Sequence, residues 1–426
     1  MSILTRRNFL GSVAAAGGLA ALQKVLGAGA SGADRRRSHP GPANPKPDGQ
    51  KMSDFLRILD TPGTRISGLT IDGDAQNQNE RQVGAVLVRA DNCIIEDCEI
   101  FNCSADCIYV QRGKNLKVRH NYIHNTWRRG VSLYGGDTDF SGMLISDNVI
   151  ANTGYESIQI GGRGVVVQGN KLGGQQGHPA PFGGLYALTG SKDFKIIGNT
   201  IQDGYGGLDL SWGKVGGRVG TDLTNRIVRE NTILRCGIGI GTGGNGTVII
   251  NNIITDCGAG QVQTYTLLNV AITVAAPGGG YSVGDVLTFT GGNFILPGKV
   301  KVEQVNPQGG ILAVSVWYLG VYTATPANPI EATGGSGTDA AFSIARWNAR
   351  TFNPVGITIV DASDCIVQGN ISGNSVGNTT QRLGCWLQRV VDAPQRNLIT
   401  GNNFARNTKA AIAGYLAGNT TTPNIT

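Results

Sequence analysis

The chain has 426 residues, room for two or three domains, with 65 glycines, three methionines and 6% aromatic residues. That composition suits tight β turns and argues against helical bundles. Residues 1–52 hold eight Lys/Arg and two Asp/Glu, so +6 of the net +7 sits there and the body is near +1; this excludes the clustered basic surface of a nucleic-acid binder.

Residues 1–30 read as an export signal. Thr5-Arg6-Arg7-Asn8-Phe9-Leu10 precedes the apolar run Val13–Leu26, and Ala28-Gly29-Ala30 supplies a small-residue cleavage site. The stretch resembles a twin-arginine signal, an address read by the twin-arginine export machinery for proteins exported already folded. The expected location is periplasmic or secreted. No stable membrane span is expected after cleavage, because the run is rich in Gly and Ala and contains Lys24. Residues 31–52, with Pro40, Pro42, Pro45, Pro47 and three successive arginines, read as a disordered linker.

From residue 53 one short sentence repeats. An apolar β-branched residue alternates with polar neighbours, an asparagine follows, and another apolar residue comes two later. The asparagines are Asn121, Asn148, Asn170, Asn199, Asn231, Asn252, Asn370 and Asn402. The apolar period of two and the punctuating glycines predict strands, and the repeat predicts a solenoid. Each rung is too short to bury a face alone, so rungs must stack around one core. An asparagine at one turn position predicts an internal ladder satisfying buried backbone groups. Cys98 takes that position one rung earlier.

Each rung also carries a short strand after a small residue. In chain order these are Ala85–Leu87, Ile108–Val110, Val131–Leu133, Ile158–Ile160, Leu185–Ala187, Leu208–Leu210, Ile238–Ile240, Ile357–Ile359 and Cys385–Leu387. The outer two residues of each triplet point inward. The predicted outward column is therefore Val86, Tyr109, Ser132, Gln159, Tyr186, Asp209, Gly239, Thr358 and Trp386.

On these repeats the chain resembles the right-handed parallel β-helix class of pectate lyases, alginate epimerases, polygalacturonases and phage tailspikes. The resemblance implies an all-β, single-stranded right-handed parallel β-helix over residues 53–260 and 353–426. It says little about the reaction. Eight cysteines in an exported chain raise the question of disulfides. Cys236 and Cys257 share a frame in successive rungs, but Thr126 and Thr153 occupy it too, which favours buried free thiols. No cysteine or histidine spacing suggests a metal site.

Residues 261–352 interrupt the ladder. Gly278-Gly279-Gly280 leads into Tyr281–Phe289, and Lys299–Val302, Ile311–Val316 and Gly334–Phe342 follow. Alternation and turn glycines predict a small inserted antiparallel β module. It resembles a module of phage tail-fibre proteins, through Gly279–Leu287 and Gly334–Thr338. Glycan contact through Trp317, Tyr318 and Tyr322, or a decorative insertion, are the two readings.

A polysaccharide groove needs aromatic faces for sugar rings and polar groups for hydroxyls and carboxylates. Tyr109, Tyr134, Gln159, Tyr186, Trp212 and Lys214 form the largest outward patch of that kind. Catalytic candidates are Asp106, Arg129, Glu156 and Asp209. The first three sit two residues before successive strands, so Arg129 should lie between two carboxylates about 9.6 Å apart. That is near the roughly 6.5–9.5 Å of inverting glycosidases. Yet an intervening arginine favours a salt-bridge ladder holding both acids ionised. Asp209 could act as a base or a calcium ligand; no cofactor is otherwise called for. His124 is expected to point into a turn, His120, just before Asn121, to be structural, and His178 to sit in a Gly/Pro loop. The leading expectation is a lyase or epimerase acting on an acidic polysaccharide. A tailspike-like glycoside hydrolase and a non-catalytic glycan-binding surface protein are the alternatives. Signature histidine and paired-aspartate motifs of polygalacturonases and alginate epimerases are missing.

Overall fold

The computed structural model describes residues 56–73, 84–126, 128–135, 138–173, 184–188, 190–210, 214–215, 218–219, 225–259, 264–267, 271–318, 320–350 and 354–426. The export signal and linker, with Trp212 and His178, lie outside them. Among the described residues there is no helix, hence none long and apolar enough to cross a membrane. The chain divides into two compact units: the coil, interrupted after residue 260 and resumed at 353, and the insert of residues 261–352.

The coil is built from three parallel sheets of eleven, ten and nine strands among the described residues. Each complete rung contributes one strand to each sheet, so strand order within a sheet follows chain order. Isoleucines, valines and leucines point inward from all three and form one continuous core, from Leu56 to Phe404. Each fully buried aliphatic side chain is worth about 1.5–3 kcal/mol, so rungs of twenty to thirty residues hold only by stacking.

The asparagine ladder is present and continuous. The backbone N–H and the Nδ2–H of Asn121 both donate to Asn148 Oδ1, at 3.0 and 2.9 Å. The pattern recurs through Asn170, Asn199, Asn231, Asn252, Asn370 and Asn402 to Asn424. Each amide also donates to a main-chain carbonyl near the rung before, as Asn170 does to Ile145 at 2.9 Å. The Cys98 N–H donates to Asn121 Oδ1 at 3.1 Å, so cysteine begins the ladder as a donor. From Cys98 to Asn402 the residue before each ladder position adopts the left-handed conformation: Asp97, His120, Asp147, Gly169, Gly198, Glu230, Asn251, Gly369 and Gly401, with φ from 53° to 67°. Glycine, asparagine and aspartate tolerate that region best, which explains the Gly-Asn and Asp-Asn pairs of the sequence. It also fixes His120 as a corner residue, near Asp97 and Asp147.

The outward column differs from expectation at two points. Leu87, not Val86, pairs with Tyr109, and Gly241, not Gly239, pairs with Asp209. The reason is a second column, of small residues just before or at the start of each strand: Ala85, Cys107, Gly130, Ser157, Gly184, Gly207, Gly239, Gly356 and Gly384. All are buried. A Cβ on Gly130 would lie 2.5 Å from Ile150 Cγ2, and one on Gly239 2.5 Å from Ile254 Cγ2. At Gly84-Ala85 and Gly237-Ile238-Gly239 small residues occupy alternative frames, and only packing selects one.

The insert has its own core of Leu267, Leu287, Phe289, Val300, Val302 and Phe342 among others. Its strands are antiparallel, in sheets of six and four among the described residues. Tyr322, expected as a glycan contact, is fully buried, and its hydroxyl accepts the Gly298 N–H at 2.8 Å. Lys301 Nζ lies 5.4 Å from the centre of the Trp317 ring.

Candidate functional site

The outer face of the eleven-stranded sheet carries the predicted patch. Pairing runs Tyr109 to Ser132, Ser132 to Gln159, Gln159 to Tyr186 and Tyr186 to Asp209, one residue per rung. Parallel strands stand about 4.8 Å apart, so the five residues share one line on one face. Tyr134 is 60% exposed, and its ring meets Tyr109 edge-on with centroids 6.1 Å apart. Gln159 lies down on the sheet, its Nε2 donating to Ser132 Oγ at 3.2 Å and Leu133 O at 3.4 Å. Burial, then the charges of Asp209 and Glu156, push the Tyr186 phenol up to about 12. Burial likewise raises Tyr109. Both phenols are therefore neutral hydrogen-bonding groups near pH 7. The face continues through Gly241, Thr358 and Trp386. Trp212 and the side chain of Lys214 lie outside the described residues.

Asp106, Arg129 and Glu156 do stack, and they close on one another. Arg129 Nε donates to Glu156 Oε2 at 2.6 Å. The Arg129 backbone N–H donates to Asp106 Oδ1 at 3.2 Å, and its guanidinium lies 3.7 Å from the same oxygen. Arg128 Nε approaches Asp106 Oδ1 at 3.8 Å. The Arg129 guanidinium also sits 5.5 Å from the centre of the Tyr155 ring. Glu156 is fully buried and Asp106 nearly so. The space where a glycosidic bond would have to lie between two carboxylates is thus filled by an arginine. One expectation changes: Glu156 is not held low by its arginine. Burial raises its carboxyl above the ordinary range and outweighs the charge of Arg129. Its second oxygen, Oε1, has no hydrogen-bond partner among the described residues.

A second cluster escaped the sequence reading. On the nine-stranded sheet His124 stands in the strand Tyr122–Thr126, not at a turn. It stacks on Phe101 with centroids 5.0 Å apart and on Tyr122 at 4.2 Å, and its Nε2 is 3.2 Å from Glu99 Oε1. The signal was available: Glu99 pairs with Tyr122 and Phe101 with His124 when the Asn frame is aligned. No group of three or more His, Cys, Asp or Glu side chains able to hold a metal ion occurs among the described residues.

These three sheets and their register define a right-handed parallel β-helix carrying an inserted antiparallel module. Residues 65–257 match the family described as periplasmic copper-binding protein (NosD). Among solved structures, the chain is similar to the A-module of the Azotobacter vinelandii mannuronan C-5 epimerase AlgE6. The identity is 14%, over 88% of this chain and 77% of that one, with a TM-score of 0.48. The tailspike protein of Escherichia coli bacteriophage HK620, in complex with a pentasaccharide, is similar at 10% identity over 87% of this chain and 54% of that one, TM-score 0.49. A family PL6 polysaccharide lyase from Pseudopedobacter saltans is similar at 13% identity over 88% and 77%, TM-score 0.44. No curated protein matches the chain in sequence.

Proposed function

We propose that this protein is an exported, carbohydrate-active β-helix protein that seats a polysaccharide along the outer face of its eleven-stranded sheet, from Tyr109 to Asp209. The observation that carries this reading is the single register line of Tyr109, Ser132, Gln159, Tyr186 and Asp209. It spans four rung spacings, about 19 Å, a length suited to several sugar units. Aromatic rings at Tyr109, Tyr134 and Tyr186 supply apolar faces and Asp209 a hydrogen-bonding group, while Ser132 and Gln159 are buried on the same line. Binding is the part the geometry supports best. A hydrolase built on Asp106 and Glu156 is disfavoured, because Arg129 occupies the gap and a general acid must reach its leaving group. A lyase or epimerase acting on an acidic polysaccharide would need a base on this face, for which Tyr134, Tyr186 and Asp209 are the candidates.

Purified mature protein should be retained on at least one polysaccharide in a panel of acidic and neutral chains. Tyr186→Ala and Tyr109→Ala should each weaken retention about tenfold, the loss of one stacking contact of roughly 1–1.5 kcal/mol. Retention by none of the panel, or variants that bind as tightly as the parent, would remove the proposal. Ultraviolet absorbance from unsaturated products would add lyase turnover, and calcium dependence would add a ligand at Asp209.

Export rests on Thr5–Leu10 and on the periplasmic placement in the matched family's description. Replacing Arg6 and Arg7 by lysine should leave the protein in the cytoplasm; unchanged periplasmic recovery would exclude this route. The family name also carries copper. The described residues offer copper no three-ligand group, and their eight cysteines are buried, so no copper step is assigned to this chain.

A further inference from the structure

All eight cysteines are free and buried. Several turn their sulfur toward a main-chain carbonyl: Cys98 toward Glu96 at 3.1 Å, Cys93 toward Asp91 at 3.4 Å, Cys365 toward Gly244 at 3.5 Å and Cys236 toward Leu234 at 3.6 Å. Cys103 and Cys107 do so as well, toward Phe101 at 3.6 Å and Ile100 at 3.9 Å, and they also meet each other. Cys107 Sγ lies 3.1 Å from Cys103 Sγ. A disulfide bond is about 2.05 Å long, so roughly 1 Å of approach separates contact from covalent closure. The two residues flank one corner. Cys103 follows the strand Glu99–Phe101 and Cys107 precedes the strand Ile108–Val110. Between them Ser104, Ala105 and Asp106 are buried, and no strand has to leave its sheet for the sulfurs to join.

The geometry points to Cys103 and Cys107 as a redox-modifiable site: a dithiol that closes to a disulfide across the corner carrying Asp106. The inference rests on the corner itself and not on the glycan reading. The oxidant is another disulfide, either a low-molecular-weight one or that of an exported thiol–disulfide oxidoreductase. One cysteine thiolate attacks the oxidant's sulfur and forms a mixed disulfide, expelling one thiolate. The second cysteine thiolate then attacks the first cysteine's sulfur and expels the other. Two protons leave the cysteines, and two electrons pass to the oxidant as its two thiols form.

Both sulfurs are fully buried. The contact with Cys107, together with burial, holds the Cys103 thiol well above its ordinary value, so exchange needs the corner to open or the chain to be folding. Cys236 and Cys257, whose shared frame favoured buried free thiols, are both free and buried. The consequence of closure is local. Asp106 adjoins Cys107, and its Oδ1 receives the Arg129 backbone N–H at 3.2 Å, so the bridge braces the first member of the buried ion-pair ladder.

The test is a thiol map of the purified full chain. The protein is unfolded, refolded across a series of reduced and oxidised glutathione mixtures, quenched in denaturant with an alkylating reagent, and digested. Oxidising mixtures should leave six cysteines alkylated, with the peptide or peptides holding Cys103 and Cys107 lighter by two hydrogens. Reducing mixtures should give eight alkylated cysteines. Cys103→Ser should alkylate fully at Cys107 under every mixture. Eight alkylated cysteines throughout, or a bridge mapped to any other pair, would overturn the inference. The wild-type map decides the matter even if the serine variant fails to fold.

Discussion

At the scale of single residues, Glu156 shows how burial can outrank a partner. One of its oxygens meets Arg129 at 2.6 Å, the other meets no donor among the described residues, and the carboxyl is fully buried. A half-satisfied buried charge is costly, so the carboxyl titrates above its ordinary 4.5. The sign follows directly. The folded state keeps this proton at pH values where the unfolded chain has lost it. Glu156 therefore contributes stability that is fully present below the ordinary carboxylate pKa and lost as pH rises through the raised one. Each unit of difference is worth about 1.4 kcal/mol. Glu156→Gln cannot titrate, and its amide oxygen still accepts from Arg129 Nε. Denaturant melts compared across that range should show wild-type stability falling with pH relative to the variant. Parallel pH profiles for the two proteins would show that the carboxyl is not the titrating group.

At the scale of the element, the asparagine corner is the unit that repeats. Asn170 Oδ1 takes two hydrogen bonds from Asn148, and its Nδ2 gives one to Ile145 O and one to Asn199 Oδ1. Asn170→Ala would take the acceptor from the Asn148 N–H, the acceptor from one Asn148 amide hydrogen and a donor from the Ile145 carbonyl, while the other Asn148 amide hydrogen keeps Val118 O at 2.9 Å. At about 1–3 kcal/mol for each orphaned group, the loss should be at least about 3 kcal/mol. A denaturation midpoint within error of wild type would show that water fills the gap instead. This corner was legible in the sequence because everything that makes it is local: the Gly-Asn or Asp-Asn pair, the apolar residue two later and the period. The strand frame was less legible at Val86 and Gly239, where neighbouring small residues permit two alternations. Side-chain closure was not legible at all. The vertical stack of Asp106, Arg129 and Glu156 followed from position, but whether it opened to solvent depended on side-chain directions. Tyr322 likewise looked like a surface ring, because alternation in a short antiparallel strand does not say which face is covered.

At the scale of the whole molecule, the question is what the insert does for the coil. All three sheets resume across it in register: Ile240 pairs with Ile357, Ile249 with Val367 and Ile254 with Ser372. The ladder crosses the same gap, with the Asn252 N–H and Nδ2–H both donating to Asn370 Oδ1 at 2.9 Å. The coil's two flanks meet closely, since a Cβ on Gly258 would lie 2.7 Å from Pro354 Cγ. A short chain can therefore bridge them, and shortening a loop changes closure entropy only slowly, by about 0.6 kcal/mol per halving. Replacing residues 261–352 with a few glycines and serines should leave the coil folded. About four halvings separate the insert from a linker of a few residues, roughly 2.4 kcal/mol, so the coil's melting temperature should move by no more than about 5–10 °C. Aggregation, or a much larger fall, would mean that the insert holds the coil together. Polysaccharide retention separates the insert's two readings. Retention kept after deletion assigns binding to the line from Tyr109 to Asp209. Retention lost from a coil that still melts cooperatively assigns it to the insert, and the sheet face would then be only the support on which an adhesive module is carried.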